Sequence, residues 1–386
     1  MKKKIFFLAE SVVDLRFIYN ELNNYFDLKW VFYRKKLKKE FLSLGYKPKD
    51  LIYLRSNFFT LLIKKTLNFI TSKKIDLEKE IQRNILEIDK KFNPDLWITD
   101  TGNILSSIKL KSIKATFKHS IPYKKYFLAK NIFDYDYVFI PGNYHLNRIK
   151  NYYNKNHKEL EKKLIITISP KILPYLILKK EIKDKQNYYK KLNLDKSKRT
   201  VVLATTHNSF NDNRILPENY GPEFIALEKM CEIITKKFDY NFVIKPHHYH
   251  FKKFKDTEFS KLYKFENVKI LKPNNEFDSL DSEMVFFNSD IIITDTSGVG
   301  TTCCFLDKKI IYLEPDNYNW EDSDIEKDFR PGLILQNIND LSPSLRKYED
   351  YPNLFSKERL EFRNKIFQFQ NSKDLNKIAG VIDKIL

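Results

Sequence analysis

Short apolar runs recur along the chain between longer amphipathic stretches, and each run has the length of a buried β-strand. The first run is Ile5–Ala9, and further runs cover residues 29–33, 51–54, 113–117, 136–140, 164–168, 200–204, 240–244, 268–270, 291–293 and 309–313. Helical patterns fill the intervals, at Leu77–Phe92, Tyr144–Lys163 and Glu223–Lys236, and again from Ser356 to Leu386. Strands that alternate with helices predict an α/β protein whose parallel sheets are covered on both faces.

The length of 386 residues exceeds what one hydrophobic core usually accommodates, so two domains are predicted. The stretch Lys179–Arg199 is charged and has no apolar periodicity, which is typical of a hinge. We expect a first α/β domain over residues 1–170, a hinge over 171–199, and a second α/β domain over 200–386 that includes the C-terminal helices. The sequence Ile98-Thr-Asp-Thr-Gly102 returns as Ile293-Thr-Asp-Thr-Ser-Gly298, by chance or because the two domains are alike.

The polar turn after the strand at 291–293 is the first candidate for a ligand site. It contains Gly298 and Gly300, two of the 8 glycines in the chain, where ordinary usage is ~7%. A helix that begins near Ser297 would direct its first N–H groups toward a bound anion, and the glycines would admit the oxygens of a phosphate. The alternative is an ordinary strand-to-helix turn in which Ser297 is the N-cap.

A net charge of +19 indicates an anionic partner: nucleic acid, an acidic lipid surface or a phosphate-bearing substrate. The basic residues are scattered, and no RNA-binding or helix-turn-helix pattern occurs, so nucleic acid is not expected as a partner. Between Phe58 and Ile70 the pattern predicts a helix with an apolar face and a basic edge. Such a face suits either a core or a membrane surface.

Three cysteines, Cys231, Cys303 and Cys304, form neither a disulfide framework nor a metal-ligand spacing, which favours a reducing compartment. The basic start is followed by an apolar run that ends at Glu10, too short for a signal peptide. No run approaches the ~18 apolar residues that a membrane-spanning helix needs. We therefore expect a cytoplasmic protein.

Polar residues cluster after three of the predicted strands, where doubly wound sheets bind their ligands. The clusters are Thr205, Thr206 and His207; Lys245, His247 and His248; and Thr296, Ser297 and Gly298. A lysine and a histidine beside a helix N-terminus form an anion site that can hold a diphosphate and stabilise it as it leaves. The histidines at 247, 248 and 250 lack a second ligand cluster with zinc spacing, so no metal is expected, and surface histidines without a role are the alternative.

His119 is a candidate general base, because it lies in a polar loop of the first half and its ordinary pKa is close to neutral pH. From the residues alone, a structural histidine that bonds the loop backbone is the simpler explanation of the same position. The residues alone leave both interpretations open.

Taken in order, these segments resemble the CDP-glycerol glycerophosphotransferase family, which includes teichoic acid primases and polymerases and their capsule-building relatives. Lys118-His-Ser-Ile-Pro-Tyr-Lys124 is similar to the family's Trp-His-Gly-Thr-Pro-Leu-Lys tract, and Lys245-Pro-His-His248 to its Arg-Pro-His-Pro loop. Thr294-Asp-Thr-Ser-Gly298 resembles its Thr-Asp-Tyr-Ser-Ser signature. Asp316 and Tyr318 stand where the family has an Asp and a Tyr, so the likeness extends from about Phe117 to Tyr318.

Several positions depart from that pattern. Lys118 and Ser120 replace the Trp and Gly beside the first histidine, and Thr296 and Gly298 replace a Tyr and a Ser. Lys245 replaces an arginine, which keeps the charge but loses the bidentate grip of a guanidinium. These changes characterise a divergent member and bear most on the identity of the donor.

The resemblance implies a GT-B-like α/β fold, in which two Rossmann-like domains have parallel sheets that face a central cleft. It makes residues 1–170 the acceptor side and 200–386 the nucleotide-donor side. It also implies that His119 and His247 are catalytic, and that Lys245, Thr205, Thr296, Ser297 and Gly298 bind the donor phosphates. Further substrate contacts are expected from Lys124, His207, Asp295 and Asp316.

In the implied reaction, His119 takes the proton of an acceptor hydroxyl, and the oxygen attacks the β-phosphorus of a CDP-linked polyol. No cofactor is implied. The partners are the CDP-linked donor, a lipid-linked or polymer acceptor in teichoic acid or capsule-like synthesis, and an anionic membrane surface on the cytoplasmic side. The alternatives are a GT-B enzyme that uses a UDP- or CMP-sugar, and a non-enzymatic module that binds membranes or nucleic acid.

Overall fold

The structure is a computed structural model. It describes residues 2–9, 15–54, 77–100, 103–117, 130–153, 157–180, 185–205, 225–246, 259–271, 279–295, 298–314 and 330–386. These residues divide into two compact units, the first formed by 2–117, 130–173 and 367–386, and the second by 174–366. The helix expected between Phe58 and Ile70 lies outside the described residues.

The first unit is built on a parallel sheet that has seven strands within the described residues. They are β1 (Lys4–Leu8), β2 (Asp27–Phe32), β3 (Leu51–Tyr53), β4 (Leu96–Thr99), β5 (Ile113–Phe117), β6 (Tyr137–Ile140) and β7 (Leu164–Ile166). Across the sheet their order is β3-β2-β1-β4-β5-β6-β7. The chain therefore adds β2 and β3 on one side of β1, crosses back, and adds β4 to β7 on the other side.

Helices connect these strands. They are α1 (Leu15–Leu22), α2 (Lys35–Ser43), α3 (Leu77–Phe92), α4 (Asn103–Ser106), α5 (Asn143–Tyr152) and α6 (His157–Lys163). In α3, buried residues recur every four positions at Ile81, Ile85 and Asp89, so one face packs inward. The buried carboxylate of Asp89 accepts a hydrogen bond from Nε1 of Trp97 at 2.9 Å, which satisfies both groups inside the core.

The second unit is built on a parallel sheet of six described strands. They are β8 (Thr200–Ala204), β9 (Asn241–Ile244), β10 (Val268–Ile270), β11 (Ile291–Thr294), β12 (Lys309–Leu313) and β13 (Leu333–Leu335). Their order is β10-β9-β8-β11-β12-β13, the strand order of dinucleotide-binding sheets. β8, β9 and β11 are buried along their whole length, as strands covered on both faces should be.

The helices of this unit, in chain order, are α7 (Leu173–Lys180), α8 (Lys185–Lys191), α9 (Ile225–Cys231), α10 (Ser279–Asn288), α11 (Val299–Phe305), α12 (Leu341–Asp350) and α13 (Ser356–Ile366). α7 and α8 occupy the stretch 171–199 for which a hinge is predicted. The structure differs there because Tyr188 and Tyr189 are buried, and the hydroxyl of Tyr189 donates to the carbonyl of Asn288 at 3.1 Å. Two adjacent buried tyrosines do not produce the apolar spacing of three to four residues by which a helix is recognised in a sequence.

The last helix, α14 (Lys377–Ile385), belongs to the first unit. It packs against α1, and the carbonyl of Leu386 accepts a bond from Nζ of Lys3 at 3.1 Å. The amide of Gln368 donates to the carbonyl of Pro141 at 3.0 Å. Residues 367–386 therefore pack with the first unit, whereas the sequence analysis assigned all of 200–386 to the second domain.

The repeated Ile-Thr-Asp sequence occupies equivalent places in the two sheets. Ile98 in β4 pairs with Phe7 in β1, and Ile293 in β11 pairs with Leu203 in β8. In each sheet this strand is the fourth in chain order and lies beside the first. The two units therefore share one winding scheme, and the predicted α/β fold with two Rossmann-like parallel sheets is confirmed.

Candidate active site

The strand order of the second sheet reverses between β8 and β11: β9 and β10 lie on one side of β8, and β11, β12 and β13 lie on the other. At such a switch point, the carboxyl edge of a parallel sheet usually binds its ligand. The strand register shows which residues lie there. Ala204 pairs with Thr294, so the next residues, Thr205 and Asp295, follow neighbouring strands at the edge. They are 6% and 3% exposed. Two residues predicted for the site are thus held at adjacent positions beside the switch point.

A side-chain bond fixes the ends of these two strands. The hydroxyl of Thr294, fully buried, donates to the carbonyl of Ala204 at 2.6 Å. Losing this hydrogen bond would leave a buried donor or acceptor unpaired, which destabilises a folded protein by about 1–3 kcal/mol. The backbone at positions 204 and 294 is therefore rigid, and the residues that follow are held in place.

Lys245 follows β9, the neighbour of β8 on the other side. Its amide donates to the carbonyl of Leu203 at 2.8 Å, which continues the strand pairing one residue beyond the end of β9. Its Nζ lies 5.7 Å from the centre of the Phe286 ring in α10. A contact between an ammonium and an aromatic face is worth about 0.5–2 kcal/mol. Lys245 therefore supplies a positive charge to the same edge.

The turn after β11 leads into a short helix, α11, whose N-cap is Gly298. Gly298 has φ −58° and ψ −13°, values that any residue adopts. Gly300 is required for a different reason, because a Cβ there would lie 2.9 Å from Cε1 of Tyr312 in β12. The ring of Tyr312 is thus one reason for a glycine at this position, and the phosphate contact expected from the sequence stays a prediction.

The two cysteines of α11 are fully buried. Burial raises the pKa of Cys304 to about 12 and that of Cys303 well above its usual value. The thiolate is the nucleophilic form of cysteine, so neither side chain is a nucleophile at neutral pH. The polar groups that the described residues offer at this edge therefore include the lysine, hydroxyl and carboxylate side chains of Lys245, Thr205 and Asp295.

The structure brings Thr205, Lys245, Asp295 and Gly298 to one edge of one sheet. The other predicted site residues lie outside the described part of the chain: His119, Lys124, His207, His247, Thr296, Ser297 and Asp316. Their roles in proton transfer and phosphate binding remain predictions.

One ion pair at this edge was not predicted from the sequence. Glu314 directly follows β12 and forms an ion pair with Arg330, and both side chains are nearly buried, at 11% and 8% exposure. The amide of Glu314 donates to the carbonyl of Leu335 at 2.9 Å. Paired charges at this depth cost desolvation that hydrogen bonds must offset. The signal available in the sequence was a carboxylate at a strand end, the same signal that marked Asp295.

The geometry agrees with comparisons to known proteins. The model of the family described as CDP-glycerol:poly(glycerophosphate) glycerophosphotransferase matches residues 16–384, nearly the whole chain. The chain belongs to this family. The resemblance drawn from the motifs is therefore confirmed, and the glycerophosphotransferase is an enzyme that transfers a polyol phosphate from a CDP-linked donor. A search of curated proteins finds no significant match.

Solved structures of similar fold include a variant of the wall teichoic acid polymerase TagF, with a TM-score of 0.69 at 15% identity over 100% of this chain and 89% of that one. A TagF variant soaked with CDPG gives 0.65 at 15% identity, over 99% and 88%. UDP-GlcNAc 2-epimerase from Neisseria meningitidis, bound to UDP-GlcNAc, gives 0.62 at 15% identity, over 100% and 99%. At this identity the likeness bears on the fold, which agrees with the GT-B-like prediction.

The glycerophosphotransferase has no helix, among the residues that the structure describes, with the length and apolar character needed to cross a bilayer.

Proposed function

We propose that this glycerophosphotransferase extends a teichoic acid or capsule-like polymer by transferring glycerol phosphate from CDP-glycerol to a hydroxyl of the growing chain. The observation that carries the proposal is the position of Thr205, Lys245 and Asp295 on adjacent strands around the switch point of the second sheet. A cation and a buried hydroxyl at that edge suit the diphosphate of a nucleotide donor.

In the proposed reaction, His119 removes the proton from the acceptor hydroxyl as its oxygen attacks the β-phosphorus of CDP-glycerol. The bond from that phosphorus to the bridging oxygen breaks, and CMP leaves with the bonding electron pair. Lys245, His247 and the turn Thr296–Gly298 stabilise the charge that develops on the departing phosphate. Phosphoryl transfer needs positioning and charge stabilisation more than covalent participation by the protein.

The first test compares Lys245→Gln with Lys237→Gln, an exposed lysine that precedes β9 and so lies toward the other end of that strand. A charge-assisted hydrogen bond is worth about 1.5–3 kcal/mol, so Lys245→Gln should raise the KM for CDP-glycerol about 10- to 100-fold. Lys237→Gln should behave as the wild type. Turnover would be followed by release of CMP. Equal KM values in both variants would remove Lys245 from the donor site.

His119→Ala and His247→Ala test the catalytic assignment in the same assay. Each should lower kcat at least about 100-fold, the usual contribution of a general acid or base. Circular dichroism would establish that both variants fold. Full turnover in either variant would exclude that histidine from catalysis.

The second candidate function is that of a nucleotide-sugar enzyme, favoured by the fold likeness to UDP-GlcNAc 2-epimerase. A thermal-shift screen with CDP-glycerol, CDP-ribitol, UDP-sugars and CMP-sugars would separate the two. A ligand at 100 times its Kd stabilises the folded state by about 2.7 kcal/mol, which raises the Tm measurably. Stabilisation by a UDP- or CMP-sugar, without any by CDP-polyols, would favour the second candidate.

We further propose that the enzyme works in the cytoplasm at the anionic inner face of the cell membrane. In α2, the side chains of Lys35, Lys38 and Lys39 are exposed, and Leu42 is 40% exposed at the end of the same helix. Leu44, directly after α2, is 39% exposed. Lysines together with exposed leucines suit binding to an acidic lipid surface.

Vesicle flotation tests this surface. Each lysine near an anionic bilayer contributes about 1 kcal/mol, so replacing Lys35, Lys38 and Lys39 by Gln should release the protein from vesicles that contain phosphatidylglycerol. The control replaces Lys158, Lys162 and Lys237, which are also exposed, and should leave binding unchanged. Equal flotation of both triple variants would refute a role for α2.

A further inference from the structure

The side chain of Lys245 lies on the face of the second sheet that α10 covers. Phe242 and Ile244 of β9 belong to the hydrophobic core on the other face. The amide of Lys245 continues the strand pairing by donating to the carbonyl of Leu203, so the strand alternation extends to this residue. Its ammonium lies 5.7 Å from the centre of the Phe286 ring in α10.

The end of α10 that carries Phe286 is firmly held. Phe286 is 5% exposed and lies in the last turn of the helix. Carbonyls at a helix C-terminus have no partner within the helix. Here Nζ of Lys308 donates to the carbonyls of Phe287 and Ser289 at 2.8 and 2.7 Å, and the hydroxyl of Ser289 donates to the carbonyl of Phe286 at 2.8 Å. The ring therefore has a fixed support.

A lysine at position 245 needs such a support more than an arginine would. The lysine ammonium sits on a flexible four-carbon stem, whereas the guanidinium of an arginine is planar and pre-organised for a phosphate. The family loop that Lys245-Pro-His-His248 resembles has an arginine at this place. An ammonium within about 6 Å of a ring centre is attracted to the ring face, so Phe286 restricts the positions that Lys245 can take.

Phe286 also has a purely structural role as a buried apolar side chain. An aliphatic side chain of similar size would fill most of the same space. Only an aromatic ring presents a negatively polarised face to a cation. The two roles therefore predict different results when the ring is replaced by an aliphatic side chain.

We propose that Phe286 is a positioning residue for the transferase, whose ring holds the ammonium of Lys245 in place before the donor binds. A lysine that is already restricted loses less side-chain freedom when it binds the donor phosphates, so the donor binds more tightly. The inference rests on the proposed function, because it assigns Phe286 a part in the phosphate-binding region of that site.

A double-mutant cycle tests the proposal. The KM for CDP-glycerol would be measured in the wild type, in Phe286→Leu, in Lys245→Gln and in the double variant. Phe286→Leu should raise the KM about 3- to 10-fold where Lys245 is present. In the Lys245→Gln background it should change the KM less than about 2-fold, because the cation that the ring holds is gone. Phe286→Met repeats the cycle with a second non-aromatic side chain.

Phe287→Leu is the matched control. Phe287 is half-buried in the same helix, and neighbouring helix residues point about 100° apart, so its replacement should leave the KM unchanged. Urea unfolding of each variant measures the lost packing separately. An equal rise of the KM in both backgrounds would show that Phe286 acts by packing alone. A lower KM in Phe286→Leu would show that the ring draws Lys245 away from the donor. Either result overturns the inference.

Nuclear magnetic resonance tests the contact without the donor. Protons over the face of an aromatic ring resonate upfield, so the ε-methylene signal of Lys245 should move downfield in Phe286→Leu. Its absence from the spectrum of Lys245→Gln identifies the signal. An unchanged signal in Phe286→Leu would overturn the inference. Failure of the wild type to turn over CDP-glycerol would instead overturn the proposed function, and the methylene signal distinguishes that failure from the loss of the contact.

Discussion

Gly300 lies so close to the ring of Tyr312 that a side chain at this position would force the ring or the helix to shift. An added Cβ would lie 2.9 Å from Cε1 of that ring, and both residues are buried. We expect Gly300→Ala to destabilise the second unit by about 1–3 kcal/mol, the usual cost of overpacking a core. Urea unfolding would measure the change.

Gly380 is the control for this substitution. It is exposed in α14, and no described atom beyond its chain neighbours and the backbone of its own helix lies within 4 Å of the position that its Cβ would occupy. Gly380→Ala should stabilise the protein by about 0.5–1 kcal/mol, because alanine has the higher helix propensity. If both variants lost stability equally, the Tyr312 contact would not explain Gly300.

At the scale of elements, a single hydroxyl connects α12 to two strands. Tyr348 is fully buried; its hydroxyl donates to the carbonyl of Ile310 at 2.6 Å and accepts from the amides of Ile310 and Leu333 at 3.3 and 3.4 Å. Burial raises the pKa of this hydroxyl to about 12. The helix is thereby attached at the place where β12 and β13 pair.

Tyr348→Phe should therefore cost about 1–3 kcal/mol, because it leaves buried backbone groups unpaired. The pKa sets the pH dependence. The pKa of Tyr348 is higher in the folded state than in the unfolded state, so deprotonation favours the unfolded state. The contribution of Tyr348 to the free energy of unfolding is therefore complete below about pH 10 and declines as the pH rises toward 12. Unfolding free energies at pH 7 and 11.5 would show a smaller gap between wild type and variant at the higher pH. A gap that widened would contradict the assignment.

The sequence predicted most strands because each is a short, largely apolar run, and β8, β9 and β11 are buried along their whole length. It missed β13, which has three residues, of which Ile334 is 40% exposed. It missed α2 because the buried apolar side chains described in that lysine-rich helix are just two, Leu37 and Phe41. It joined α5 and α6 into one helix. Short elements held by tertiary contacts carry too little periodicity to be recognised.

The candidate site was predictable where strand ends alone determine position. Thr205, Lys245 and Asp295 follow apolar runs directly, and parallel register brings such positions to one edge. The Glu314–Arg330 pair was not predictable, because its two groups are 16 residues apart and Arg330 shortly precedes β13, a strand that the pattern did not reveal. The contact between Gly300 and the ring of Tyr312 was not predictable either, because it depends on how α11 packs against β12.

At the scale of the molecule, the first unit depends on α14, which packs against α1. Ile382 is fully buried there, whereas Ile385 is only half-buried. We expect Ile382→Ala to cost about 2–5 kcal/mol, and Ile385→Ala to cost clearly less. Hydrogen exchange should rise in β1 and α1 and stay unchanged in β8 and β11. Faster exchange in β8 instead would show that α14 stabilises the second unit.

The first unit is assembled from segments that lie on both sides of the second unit in the sequence, whereas the described residues of the second come from the single stretch 174–366. Residues 174–366 are therefore synthesised before α14, the helix that covers α1. The N-terminal part of the first unit acquires this partner only after the whole second unit has been made.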